Sequence, residues 1–365
     1  MKLTAYQERE RAQMSEYNVA VVGVGAVGAE MLRVLRERRF PARNIRVLAR
    51  TPRMISVDGN HYQVEATTPE SFEGVDIALF AGTEGEKGAA VTFAKDAVAS
   101  GAVVIDNGAD FRMQPDVPLV VPEVNANALK GHKGIIANPN CSTAQLVVAL
   151  KPLHDAAKLK RVLISTYQSV SGAGQGGVDD LNAETKALAE GQDLPATRTF
   201  PAQIAANVIP HIGSFDAQGY TSEEMKLVRE THKIMGDDSF HVTTMVTARV
   251  PVAIGHSEAV YVETEKPITP DEARTLWRDF PGVVLVDDIK SDDPWKAYPM
   301  PLASAGRDET FIGRVRQDLD NPNGLLFWVV SDNLRKGAAT NAVQIAEALV
   351  EMRLLNSQRE AALSR

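Results

Sequence analysis

NVAVVGVGAVGAEMLRVL, residues 18 to 35, starts as an apolar run, passes through three glycines and continues with apolar residues at helical spacing. The stretch reads as a buried strand, a tight turn and a helix. Gly23, Gly25 and Gly28, with Ala26 and Val27 between the last two, make a GxGxxG loop at the mouth of that helix, whose free amides suit a pyrophosphate. A glycine turn with no ligand is the plainer reading, but the strand and helix around the loop favour a dinucleotide. Outward from it, IRVLA, VDIALF and AVVIDNG read as further strands, separated by helical stretches such as GEKGAAVTFAKDAVASG. This alternation predicts βαβ units on a parallel sheet.

Near residue 140 the pattern changes. KRVLISTYQSVS, HVTTMVTARVPV, EAVYVET and GLLFWVVSD are longer β-rich runs, and several alternate in polarity. They predict a second α+β domain on a mixed, largely antiparallel sheet. TPDEARTLW signals a helix with Thr269 as N-cap, Pro270 in the first position and Glu272 closing a capping box. The tail GAATNAVQIAEALVEMRLL is helical again, and its apolar face is expected to dock on the first domain. The expected division is 17–140 plus 334–365 for the nucleotide domain, 141–333 for the second, and a polar extension over 1–16.

Composition bounds the rest. With 44% hydrophobic and 24% charged residues over 365 positions, the chain can bury a sizeable core. Its net charge of −8 argues against non-specific binding to nucleic acid or anionic lipid, so a small ligand is expected. No uncharged apolar run approaches the about 18 residues of a membrane span. A single cysteine excludes an internal disulfide, and the polar opening MKLTAYQERERAQMSEY does not read as an export signal, so the chain reads as cytoplasmic. No metal site is assigned.

Two local stretches carry chemistry. After the second strand, where an acidic residue would favour NAD, the chain has ARTPR. Arg50, Thr51 and Arg53 suit a ribose 2′-phosphate and so favour NADP, unless the arginines are simply solvated. The second stretch is NPNCST, residues 138 to 143, with the only cysteine. Cys141 precedes a helix with Leu146, Leu150 and Leu153 on one face, and Ser142 or Thr143 is available as a cap. A thiol in a first turn is expected to have a lowered pKa and to act as a nucleophile, with the free amides stabilising an oxyanion.

VPEVN, NPNCSTAQLV, TYQSVSGAG, EEMKLVRETHKI, RVPVAIGHSE, YPMPLASAG followed by FIGRVRQD, and SDNLRKGAATNAVQIAE resemble, in this order, the motifs of aspartate-semialdehyde dehydrogenases from about residue 17 to 350. The resemblance implies NADPH-dependent reduction of L-4-aspartyl phosphate to L-aspartate 4-semialdehyde with release of phosphate, at the branch to lysine, methionine and threonine. It also implies a homodimer or a dimer of dimers. By motif it makes Cys141 the acylated nucleophile, Gln168 its positioning partner and His256 the acid/base. Arg249 falls on the substrate carboxylate, Glu223 on its ammonium, and Arg112, Asn140 and Lys226 on its phosphate. Ser171, Gly172, Gly174 and Asn333 fall near the nicotinamide. Two departures stand out: the family loop GATGAVG is GVGAVG here, one residue shorter and without threonine, and DNGADFR replaces the more common DNSSAFR. Two rivals remain at this stage. N-acetyl-gamma-glutamyl-phosphate reductase shares the two-domain plan and the cysteine chemistry, and a non-catalytic nucleotide-binding paralogue needs only the glycine loop.

Overall fold

The computed structural model describes residues 17–82 and 88–355. The polar extension over 1–16 and the last residues of the returning segment lie outside this range. The quoted stretch forms strand β1 (Tyr17–Val22) and helix α1 (Ala26–Glu37). β2 (Ala42–Ala49), β3 (Arg53–Val57), β4 (Asn60–Ala66), β5 (Ile77–Phe80), helix α2 (Ala89–Ala99), β6 (Val103–Asp106) and β7 (Ile135–Ala137) follow. They build a seven-stranded sheet in the order β3-β4-β2-β1-β5-β6-β7. It is parallel throughout except where β3 and β4 pair antiparallel. That hairpin departs from the all-parallel expectation. Its strands lie mostly exposed at the sheet edge, each with one buried valine (Val57 and Val64), so they lack the continuous apolar run that announces a buried strand.

The second sheet is mixed, with six strands ordered β11-β12-β13-β10-β8-β9. β8 spans Leu159–Gln168, β9 His241–Arg249, β10 His256–Thr264, β11 Val283–Leu285, β12 Thr310–Gln317 and β13 Gly324–Ser331. The antiparallel pairs are β8 with β10, β10 with β13 and β13 with β12. β8 with β9 and β11 with β12 run parallel.

Helix α3 (Cys141–Ala157) joins the two halves. Ala144, Val147 and Val148 pack in the cluster that holds Ala20, Val22 and Phe80 of the first sheet. Leu146, Leu150 and Leu153 pack with Val162, Val260 and Phe327 of the second. The leucine face read from the sequence is therefore one of two buried faces, and the small residues opposite it admit the other sheet. Burial on both sides fixes the helix, and with it Cys141 at its start.

Further helices are α4 (Gln175–Glu190), α5 (Ser222–Met235), α6 (Pro270–Asp279) and α7 (Thr340–Glu351). α6 has the capping box of Thr269 and Glu272 with Pro270 in its first turn. α7 buries Val343, Ile345 and Leu349 against Val19, Val21 and Leu35 of the first sheet and α1. Just before it, a π-helical turn (Arg335–Ala339) ties the halves together. Arg335 pairs with Glu30 (3.2 Å) and Glu37 of α1 and with Asp308 (2.8 Å). Lys336 is almost wholly buried and pairs with Glu123 at 2.6 Å. A buried pair of this kind stabilises little by itself but costs several kcal/mol when one partner is removed, so it specifies this arrangement against others.

Candidate active site

The glycine loop and α3 open toward the same space. Gly23 has φ +98°, and a Cβ on Gly28 would lie 1.9 Å from the Gly23 carbonyl oxygen, so both positions require glycine. A Cβ on Gly25 would meet nothing within 4 Å, because the loop faces an open groove. The groove, of about 410 Å³, is lined by residues 23–28 and by Ala81, Gly82, Ser171, Gly172, Gly174, Gln175 and Leu334. Gly25 caps α1 with no side-chain hydrogen bond, so the first amides of a twelve-residue helix remain for a ligand. The shortened loop thus leaves the helix start facing the groove. The end of β2 lies beside it, with Gly23 N donating to Leu48 O at 2.8 Å. Arg50 and Thr51 follow in the next turn, and Arg53 opens β3 rather than a loop; all three are exposed. Arg53 Nη1 donates to Thr51 O at 3.2 Å.

A second cavity, about 490 Å³, is continuous with the groove, since Val27, Ala81, Gly82, Ser171, Gly172 and Leu334 line both. Its wall includes Cys141, Asn140, Gln168, Glu223, Lys226, Arg249, Arg112 and Asn333. The structure therefore brings together residues spread over more than two hundred positions, drawn from α3, β8, α5, β9 and the loop after β13.

Asn140, rather than Ser142 or Thr143, caps α3. Its Oδ1 accepts from Ser142 N at 3.0 Å and Thr143 N at 3.4 Å, while the hydroxyls of Ser142 and Thr143 are buried with no hydrogen-bond partner. The asparagine precedes the first helical residue, where a short side chain reaches the N2 and N3 amides; the hydroxyl residues already lie inside the helix. The Asn140 amide also donates to Glu223 Oε1 at 2.9 Å, and Gln168 Nε2 donates to the same oxygen at 3.2 Å. Lys226 lies 3.5 Å from the other oxygen. Burial raises the Glu223 carboxyl, but Lys226, the two amide hydrogen bonds and Arg249 outweigh it and hold the group below its ordinary range.

Cys141 departs from expectation. Burial first, then the Glu223 charge, push its thiol up to about 12, against the opposing pull of Arg249, Arg112 and Lys226. Helix amides attract a thiolate, but the enclosing side chains and the nearby Glu223 carboxylate oppose one, and here the opposition wins. Gly337 of the π-helical turn also crowds the sulfur's residue, since a Cβ there would sit 2.7 Å from Cys141 Cβ.

Arg249 is buried, donates from Nη1 to Ser169 O at 2.8 Å and lies 5.8 Å over the Phe200 ring. Arg112 donates to Asn138 O, to Asn107 O and to Glu230 Oε1, at 2.9, 2.7 and 3.1 Å. His256 is fully buried behind Gly172, where an added Cβ would lie 3.2 Å from its Nε2 and 2.8 Å from Arg249 Nη1. Gly172 is thus needed for packing against these two side chains. Glu230 was not singled out from the sequence. It receives Asn140 N at 2.7 Å as well as Arg112, and its spacing of i, i+3 and i+7 with Glu223 and Lys226 was a usable signal. Ser169 and Gln175 carried no signal apart from their neighbours.

Known proteins agree with this architecture. The family models described as semialdehyde dehydrogenase, NAD binding domain, and semialdehyde dehydrogenase, dimerisation domain, match residues 18–132 and 150–336. The fold and site are those of a two-domain, dinucleotide-binding oxidoreductase of the semialdehyde dehydrogenase class. Aspartate-semialdehyde dehydrogenase of Aquifex aeolicus is 51% identical over 93% of this chain and 99% of its own, and that of Bacillus subtilis is 44% identical over the same shares. The crystal structure of aspartate semialdehyde dehydrogenase II of Vibrio cholerae, complexed with ASA, superposes with a TM-score of 0.86 at 44% identity, covering 92% of this chain and 99% of that one. The chain belongs to the aspartate-semialdehyde dehydrogenase family.

Proposed function

We propose that the protein reduces L-4-aspartyl phosphate to L-aspartate 4-semialdehyde with NADPH and releases phosphate, through a thioester on Cys141. The observation that carries this reading is a single cavity, open to the glycine groove, in which a cysteine at a helix start faces two arginines, a lysine and an ionised glutamate. A substrate with a carboxylate, an ammonium and a phosphate needs that set. Arg249 offers a planar fork to the α-carboxylate, and Glu223 accepts from the ammonium. Lys226, Arg112 and the Asn140 amide surround the phosphate.

Cys141 sulfur bonds to the acyl carbon as phosphate departs, and Gln168 holds the acyl group against it. Splitting the reaction at a thioester helps because that carbon accepts hydride far better than a carboxylate does. When bound, the reduced nicotinamide supplies that hydride. Ser171, Gly172, Gly174 and Asn333 line the junction where the ring would lie, and residues 23–28 take the pyrophosphate. Arg50, Thr51 and Arg53 favour NADP over NAD, since three exposed groups at the end of β2 offer cations and a hydroxyl to a 2′-phosphate and no carboxylate to a ribose.

The protein acts in the cytoplasm as a homodimer or a dimer of dimers. In support, the outer face of the second sheet presents Met245, Tyr261, Trp328 and Met300 along an apolar depression of about 540 Å³. The test of the function is an assay in the reverse direction. Semialdehyde, phosphate and NADP together should give NADPH absorbance, omission of phosphate should abolish it, and N-acetyl-glutamate semialdehyde should give none. Equal turnover of the acetylated substrate would overturn the reading.

A further inference from the structure

The loop that carries Arg112 has no helix or strand of its own. It leaves the end of β6, runs through bends and turns over residues 108–117, and regains a strand-like partner at Leu119, which bridges to Ala137. Such a backbone needs outside contacts to hold a long side chain in one place. Helix α5, packed on β9 of the second sheet, supplies them. Lys233 Nζ donates to Arg112 O at 2.6 Å, to Gln114 O at 2.8 Å and to Val117 O at 2.9 Å. Three carbonyl acceptors use all three hydrogens of an ammonium.

One turn earlier on the same helix, Glu230 grips the other end of the arginine. Its Oε1 accepts from Arg112 Nη1 at 3.1 Å and its Oε2 from Asn140 N at 2.7 Å, so one carboxylate spans the arginine and the residue before Cys141. Glu223, Lys226, Glu230 and Lys233 follow at i, i+3, i+7 and i+10, which is one face of a helix. Glu223 and Lys226 line the catalytic cavity, while Glu230 and Lys233 reach Arg112, which lines it too. Apolar packing also keeps the loop on the helix, since Phe111 and Val117 share a buried cluster with Ile234. Loss of the lysine would leave the loop docked but no longer held in register.

We propose that Lys233 is a positioning residue for the phosphate: its ammonium fixes the main chain at Arg112 while Glu230 fixes the guanidinium, so that Arg112 meets the phosphate beside Cys141. The inference rests on the function proposed above, in which Arg112 binds that phosphate. The two anchors set different things. Glu230 restrains the Nη1 end alone, whereas bonds to the carbonyls of residues 112, 114 and 117 fix the loop as a body. Lys233 acts through Arg112 rather than on the substrate.

Phosphorus-31 NMR titration of inorganic phosphate into the full-length protein with NADP reads the phosphate Kd without turnover, and the reverse assay reads the KM values. Lys233→Met should weaken phosphate binding and raise the phosphate KM by about tenfold, with the KM for semialdehyde and for NADP within about twofold of wild type. Arg112→Ala should weaken phosphate at least as much. Adding Lys233→Met to it should change the phosphate Kd no further, because the lysine acts through the arginine. Unchanged phosphate binding in Lys233→Met, or the same fold loss in both backgrounds, would overturn the proposal. Should Lys233→Met not fold, Lys233→Arg keeps the cation, but its planar guanidinium cannot serve three carbonyls that converge on one nitrogen. The same phosphate-specific loss is expected there, and wild-type binding would contradict it. If Arg112→Ala binds phosphate as the wild type does, the placement of phosphate at Arg112 falls and the proposal with it. Weakening by Arg112→Ala but not by Lys233→Met removes the proposal alone. If the wild type binds phosphate but turns over no semialdehyde, the functional reading falls, and the titration still decides the part played by Lys233.

Discussion

Asn140 joins the helix that starts at Cys141 to the Glu223 carboxylate: its Oδ1 caps the Ser142 and Thr143 amides, while its Nδ2 donates to Glu223 Oε1 at 2.9 Å. One side chain therefore sets both where Cys141 sits and how Glu223 is held. Removal of the side chain in Asn140→Ala should cost about 1 kcal/mol from the lost cap. It should also slow turnover by about ten- to a hundredfold through misplacement of the sulfur. Asn140→Ser keeps a capping oxygen and loses the amide donor to Glu223, so urea unfolding should stay nearer wild type than in Asn140→Ala while the rate still falls. Paired denaturation and rate measurements separate the two effects.

Glu223 is the second-largest influence raising the Cys141 thiol, after burial. Glu223→Gln keeps the hydrogen-bonding shape and removes the charge, so the thiol should ionise at lower pH than the value near 12 in the native protein. Iodoacetamide alkylation of Cys141, followed against pH, checks this. The variant should react faster at pH 8, while its KM for the amino-bearing substrate rises; an unchanged alkylation profile would show that the carboxylate does not govern the sulfur.

Gly337 permits the π-helical turn to pass over Cys141. Gly337→Ala places a methyl 2.7 Å from Cys141 Cβ and 3.0 Å from its Cα, both held by a helix buried on two sides. The expected cost is about 1–3 kcal/mol of overpacking, with a large loss of activity because Cys141 must move. Calorimetry and the alkylation rate report the two consequences.

Glu258 lies buried two residues past His256 with no hydrogen-bond partner on either carboxyl oxygen, and burial raises its carboxyl well above the usual range. Above the unfolded value of about 4.3 the unfolded chain is ionised while the folded protein still holds the proton. Stability from this group is thus full below that pH and is lost as pH rises toward the folded value. Glu258→Gln removes the titration, so urea midpoints at pH 5 and pH 8 should differ less than in the native protein. An equal or larger difference would contradict a protonated Glu258.

The sequence made the architecture legible where burial enforces a pattern. The strand and glycine loop at 18–28 lie against neighbours on both sides, so apolar continuity and obligatory glycines show through. The β3–β4 hairpin did not, because an edge pair half in water follows no such rule. Motif order named residues that the fold gathers around one cavity, yet their electrostatics were not legible. The thiol's upward shift comes first from burial and then from Glu223, 82 positions away, and neither shows in the residues around Cys141. Helix α3 offers the same lesson, since a one-sided leucine pattern concealed a second face of Ala144, Val147 and Val148 on the other sheet.

The claim on which the account depends is that Cys141 becomes acylated. Intact-mass spectrometry of protein mixed with aspartyl phosphate in the absence of reduced dinucleotide, then quenched in acid, tests it directly. The account predicts a mass gain of one aspartic acid less one water, located by digestion on the peptide that carries Cys141, and none in Cys141→Ala, which should still bind NADP. Undiminished turnover by Cys141→Ala, or an adduct on any other residue, would contradict it.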